Sequence, residues 1–144
     1  MNSTRRKAAL FTATLASFLF PFLGGAANVA VPEVGREFGA GATTVNAFVT
    51  AFIVVSSMFL LPAGRLADIV GRKRVFVVGA FVFALASLAS AVASSFGVLL
   101  ATRALQGIGG SAIAATSAAI LISVFPPQER GRVLGFNVAA VYAG

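Results

Sequence analysis

Four apolar runs decide what this chain can fold into. Residues 8–31, 44–63 and 75–94 carry no charged side chain, and residues 98–124 carry one, Arg103. Each run reaches the roughly 20 residues that an α-helix needs to cross about 30 Å of hydrocarbon. A fifth run, 133–144, makes only about 18 Å of helix and falls short of a crossing. Lipid offers no partner to backbone polar groups, so a spanning segment is a helix or a strand of a closed barrel. Barrel strands alternate polar and apolar residues, and a stretch such as FIVVSSMFLLPA (52–63) does not. The sequence therefore predicts an all-α integral membrane protein with four complete spans and the start of a fifth.

Composition excludes most alternatives. Hydrophobic residues make up 58% of the chain and charged residues 10%, against about 25% charged in soluble domains. The chain has no Cys and no His, which removes disulfides, Cys/His zinc sites and His-based triads. A net charge of +7 could suit nucleic acid, but binding it needs a polar basic face. Here the basic residues form small islands between apolar runs, and no nucleic-acid partner is expected. No metal, cofactor or enzyme activity is called for either. Gly107-Ile108-Gly109-Gly110 lacks the strand–helix context of a dinucleotide loop, and Gly71-Arg72-Lys73 lacks the upstream Gly and the Ser/Thr of a phosphate loop.

The basic islands predict orientation. Arg5, Arg6 and Lys7 precede span 1; Arg65, Arg72, Lys73 and Arg74 follow span 2; Arg130 and Arg132 follow span 4. Those nine residues share one side, and Arg36 stands on the other between Glu33 and Glu37. The positive-inside bias places the N-terminus in the cytoplasm. Arg5-Arg6-Lys7 before an apolar run also resembles a signal peptide, and Ser3-Thr4-Arg5-Arg6 hints at a twin-arginine signal. A run of 24 residues followed by further spans argues against cleavage.

Polar and small residues stripe the spans. Span 1 aligns Thr14, Ser17, Pro21, Gly24, Gly25 and Asn28; span 2 aligns Asn46, Thr50, Ser57 and Gly64. Span 3 aligns Gly79, Ala86, Ser87, Ser90 and Ser94, interrupted by Phe83; span 4 aligns Arg103, Gln106, Gly107, Gly110, Ser111 and Ala114. For spans 2 and 3 the simpler reading is helix packing through small residues and hydroxyls. Pro21 beside Gly24 and Gly25 predicts a kink or unwound turn, and interrupted helices border substrate paths in transporters. Gly24, Gly25, Asn28 and Gly107 are therefore candidate cavity-lining residues. Arg103 near a helix centre costs about 2.5–3.5 kcal/mol to insert. Its alignment with Gln106 and the glycines points it into a bundle, with snorkelling to the interface as the alternative. No carboxylate lies within the four spans.

The segment after span 2 reads Gly64-Arg65-Leu66-Ala67-Asp68-Ile69-Val70-Gly71-Arg72-Lys73-Arg74. Gly64 would allow a close helix approach, Gly71 a tight turn, and Asp68 an arginine partner. This segment resembles the signature between helices 2 and 3 of the major facilitator superfamily of transporters. Three further stretches agree. Arg103-Ala104-Leu105-Gln106-Gly107-Ile108-Gly109-Gly110 is similar to the helix-4 motif of proton-coupled exporters. Asn28-Val29-Ala30-Val31-Pro32 is similar to a segment of the fourteen-helix drug:proton antiporters. The stretch PPQERGR (126–132) looks like the family's loop between helices 4 and 5. The sequence departs from the antiporter pattern at Leu23, where an Asp is usual, and at Ile69, where a basic residue is usual.

The resemblance covers essentially all of residues 1–144 and implies the N-terminal part of a major facilitator-type bundle. In such a protein Arg103, with Gln106 beside it, would take part in proton coupling. Asp68, Arg72, Lys73 and Glu129 would form a charge network at the inner gate. Full members have twelve or fourteen helices, so the chain reads as the opening portion of a plasma-membrane transporter whose C-terminal helices are missing here. Its substrate would be a small amphipathic or cationic drug-like molecule, and its energy source a proton gradient. Two other classes remain: a small four-helix exporter working as a dimer, which would need a membrane Glu that span 1 lacks, and a non-transporting membrane component.

Overall fold

The computed structural model describes residues 3–39 and 41–144; the side chains of 3–5 and 42, Arg5 of the basic tail among them, lie outside that description. Five helices follow one another: α1 (Ser3–Glu37), α2 (Ala42–Val70), α3 (Arg72–Ala91), α4 (Phe96–Val124) and α5 (Pro127–Ala143). The first four are long and apolar enough to cross a membrane. The helices outrun the apolar segments that announce them. α1 has 35 residues, about 52 Å at 1.5 Å per residue, and carries Arg6 and Lys7 near one end and Glu33, Arg36 and Glu37 at the other. Backbone hydrogen bonding does not stop where hydrocarbon stops, so charge marks the interface and not the helix end.

Pro21 and Pro32 both lie inside α1, and the helix is assigned without a break through each. The unwound turn expected at Pro21 is therefore absent. A proline removes a single backbone bond, and the turns on either side continue the ladder.

The connections are shorter than the sequence suggests. The expected inner loop 64–74 is a helix, one residue and another helix. Gly71 alone separates α2 from α3, with φ 108° and ψ 131°. Its N–H donates to the Ala67 carbonyl at 3.0 Å, and its carbonyl accepts from Arg74 and Val75. That backbone conformation is open to glycine and strained for any other residue. Between α3 and α4, the expected turn at 95–97 falls instead at 92–95. Ser95 caps α4, its hydroxyl accepting from the Val98 N–H at 3.4 Å. The expected loop 126–132 is mostly the first turns of α5. Pro127 occupies the opening position, where its missing N–H costs nothing, and Glu129 sits in the first turn, where the helix dipole favours an acid.

α4 is the centre of the bundle. Half of its apolar window is buried, against 11% for α1 and for α2. Its glycines let three neighbours in. A Cβ at Gly107 would meet the α2 backbone at Phe52 and Ser56 (3.0 and 3.1 Å), and one at Gly109 would meet the α3 backbone at Gly79 and Phe83 (2.6 and 2.7 Å). One at Gly110 would strike the Phe20 ring of α1. Phe83, which interrupts the small residues of the α3 stripe, is buried with Phe76 and Ile113, and Phe20 packs against them. The α2 stripe behaves differently. Asn46, Thr50 and Ser57 are exposed, and α2 packs instead through Val45, Phe48 and Ala67. Gly64 likewise meets nothing within 4 Å, so the close approach expected there is not made.

Candidate functional site

A cavity of about 330 Å³ opens between α1, α2 and α4, within the range typical of small-molecule sites. Three phenylalanines, Phe20, Phe48 and Phe52, supply much of its wall, and Pro21, Gly24 and Asn28 form the α1 side. Arg103 contributes the single ionisable side chain among the described lining residues. The local helix geometry explains the grouping. Pro21, Gly24 and Asn28 recur at three- and four-residue intervals and so fall on one face of α1, while Phe48 and Phe52 are one turn apart on α2.

Arg103 is folded inward rather than towards the interface, and only 8% of it is exposed. Its guanidinium sits over the Phe48 ring, 4.3 Å from the centroid, a contact that gains strength when water is excluded. Arg103 Nη1 donates to Gln106 Oε1 at 2.9 Å. Gln106 Nε2 donates in turn to Ser87 Oγ at 3.0 Å, and Ser87 Oγ donates to the Phe83 carbonyl at 2.8 Å. This relay ties the buried charge of α4 to the backbone of α3. Gln106 itself is 4% exposed. Arg103 Nε and Ser56 Oγ, both on cavity-lining residues, are buried without a hydrogen-bond partner among the described residues.

The other expected cavity residues lie elsewhere. Gly107 is closed over by the α2 backbone, and a Cβ at Gly25 would face the Gly144 carbonyl at 3.7 Å. Neither contributes to the cavity wall as Gly24 and Asn28 do. Leu23, where the antiporter pattern has an acid, packs against the Phe76, Phe83 and Ile113 cluster.

The charge network at the α2–α3 turn is smaller than expected. Arg72 pairs with Asp68 at 3.4 Å, with both side chains substantially exposed. Arg72 Nη1 also donates to the Ala119 carbonyl of α4 at 3.4 Å, so this arginine bridges the turn to the bundle centre. Among the described residues, Lys73 and Glu129 make no ion pair with either. Arg65 is exposed, and Arg74 stands at an apolar groove between α2, α3 and α4.

Two residues of the site escape sequence reasoning in different ways. Phe48 belongs to an apolar run and gives no sign that it lies under a charge on another helix. Ser87 stands in a legible stripe, but its partner Gln106 is 19 residues away and emerges only once α3 and α4 are packed.

Residues 13–144 match the model of the Major Facilitator Superfamily. The chain is 34% identical to the multidrug resistance protein Stp of Mycobacterium tuberculosis over 81% of its own length and 22% of that protein's. It is 37% identical to the puromycin resistance protein pur8 of Streptomyces alboniger, over 91% of the chain and 26% of the relative. It is 34% identical to a probable actinorhodin transporter of Streptomyces coelicolor, over 97% and 24%. The chain thus spans about a quarter of the length of these relatives. With three apolar helices packed around a glycine-rich fourth, and that match over nearly all its length, this multi-pass membrane protein belongs to the major facilitator superfamily.

Proposed function

We propose that the chain is the N-terminal portion of a secondary active transporter that exports small molecules across the plasma membrane in exchange for protons. The observation that carries this reading is Arg103. A guanidinium buried in a spanning helix is costly, and such groups mark substrate or ion pathways. Here it borders a cavity of ligand size, in a chain related to proteins named for multidrug and antibiotic resistance. Arg103 and Gln106 would couple proton movement to the cavity by exchanging hydrogen-bond partners as the bundle changes state. The relay through Ser87 would hold the resting arrangement.

Alternating access needs two states of comparable free energy. The Asp68–Arg72 pair and the Arg72 contact to Ala119 join α2, α3 and α4 at one end, and would latch that end shut until the helices separate. The positive-inside bias puts this end, and the N-terminus, in the cytoplasm.

The test uses the complete transporter reconstituted in proteoliposomes with an imposed pH gradient. Wild-type protein should drive efflux of a fluorescent dye, and Arg103→Ala should abolish that efflux at unchanged expression. Undiminished transport in the variant would remove Arg103 from the mechanism. Failure of the wild type to respond to the gradient would remove proton coupling.

A further inference from the structure

We propose that the cavity between α1, α2 and α4 selects planar aromatic anions, held by Arg103 against a phenylalanine wall. The inference deepens the transport reading above and rests on it. It also replaces the cationic substrate expected from the resemblance.

The electrostatics of the wall come first. A guanidinium carries five N–H donors, and among the described residues Arg103 uses one, towards Gln106 Oε1. That acceptor is neutral. No carboxylate stands among the cavity's described lining residues, and Asp68, the acid paired with an arginine in α3, is committed elsewhere. A buried, uncompensated positive charge is unfavourable until an anion meets it. Stacking on Phe48 leaves the N–H groups free, because they lie in the guanidinium plane. A carboxylate can therefore take two of them side by side, the strongest geometry available to this pair.

The apolar part of the wall sets the rest of the ligand. Phe20 and Phe52 lie 5.4 Å apart between centroids, tilted by 41°, and offer ring faces and edges to a flat aromatic body, while the buried Phe48 backs the guanidinium. A cation in the same volume would confront Arg103 with no acid among the described wall residues to offset it, and like charges brought together are strongly disfavoured.

The test is equilibrium binding to the complete transporter in nanodiscs, with no gradient. The probes are 2-naphthoate, 2-naphthylmethanol and 2-naphthylmethylammonium, matched in shape and differing in charge, read by naphthalene fluorescence anisotropy. Naphthoate should bind at least about tenfold more tightly than the ammonium. Arg103→Gln should erase that preference, and Arg103→Lys should keep part of it. Ser57→Asp places an acid on the cavity wall and should lower the anion-to-cation ratio severalfold; it decides the matter if Arg103→Gln does not assemble. Equal or tighter binding of the ammonium to wild type, or a ratio unchanged in the variants, overturns the proposal. Selectivity absent while dye efflux persists defeats this inference alone. Selectivity present without gradient-driven efflux supports it and defeats the transport reading.

Discussion

Arg103 and Arg72 are the same chemical group in opposite circumstances. They meet α4 about 24 Å apart along its axis, counting from residue 103 to residue 119 at 1.5 Å per residue. Arg103 is enclosed, stacked on an aromatic ring and bonded to a neutral amide. Arg72 is half exposed, paired with an exposed acid and touching one carbonyl. The first is a charge the fold has isolated, so its surroundings act on whatever enters the cavity. The second is a charge whose bonds form and break at little cost, which suits a latch. Burial, more than residue type, separates the arginine proposed to bind from the one proposed to switch.

That contrast can be broken by five substitutions in the full-length protein. Arg103→Ala should have the largest effect, cutting dye efflux to background, a loss of at least about tenfold. Retention of efflux would put the enclosed arginine on the same footing as the exposed one. Gly109→Val comes next. Its side chain would meet the α3 backbone within 2.7 Å, and overpacking of that kind costs about 1–3 kcal/mol, visible as a lower melting temperature in detergent. The same change at Gly64, which has open space around it, should stay within about 0.5 kcal/mol.

Gly71→Ala adds no clash but forces a positive φ on an alanine, at about 1–3 kcal/mol. Thermal unfolding should register it, together with altered cysteine crosslinking between α2 and α3. Asp68→Asn should change stability little, within about 1 kcal/mol for an exposed pair. It should nevertheless raise the reactivity of cysteine probes placed near the α2–α3 turn. Unchanged accessibility there would argue that the pair is no latch.

Much of the architecture is legible in the sequence, because hydrocarbon thickness imposes a length that uninterrupted apolar runs reveal directly. Helix ends are less legible. Glu33, Arg36 and Glu37 read as a loop yet extend α1, since charged side chains are solvated at the interface while the backbone stays helical. The α2 stripe fails for another reason. Asn46, Thr50 and Ser57 share a face by periodicity, but periodicity does not say which face a neighbour will cover. The inward setting of Arg103 was readable from its alignment with Gln106 and the glycines. Its contact with Phe48 was not, because that pairing depends on where α2 crosses α4.

The single-residue link at Gly71 has a mechanical meaning. Two helices joined by a long loop can slide past each other along their axes. α2 and α3 share a pivot with only two soft torsions between them, so at this end their relative motion is angular. Any displacement of α2 along the membrane normal must carry the near end of α3 with it. Opening at this end would therefore be recorded as a change of interhelical angle, with the distance across the turn nearly constant.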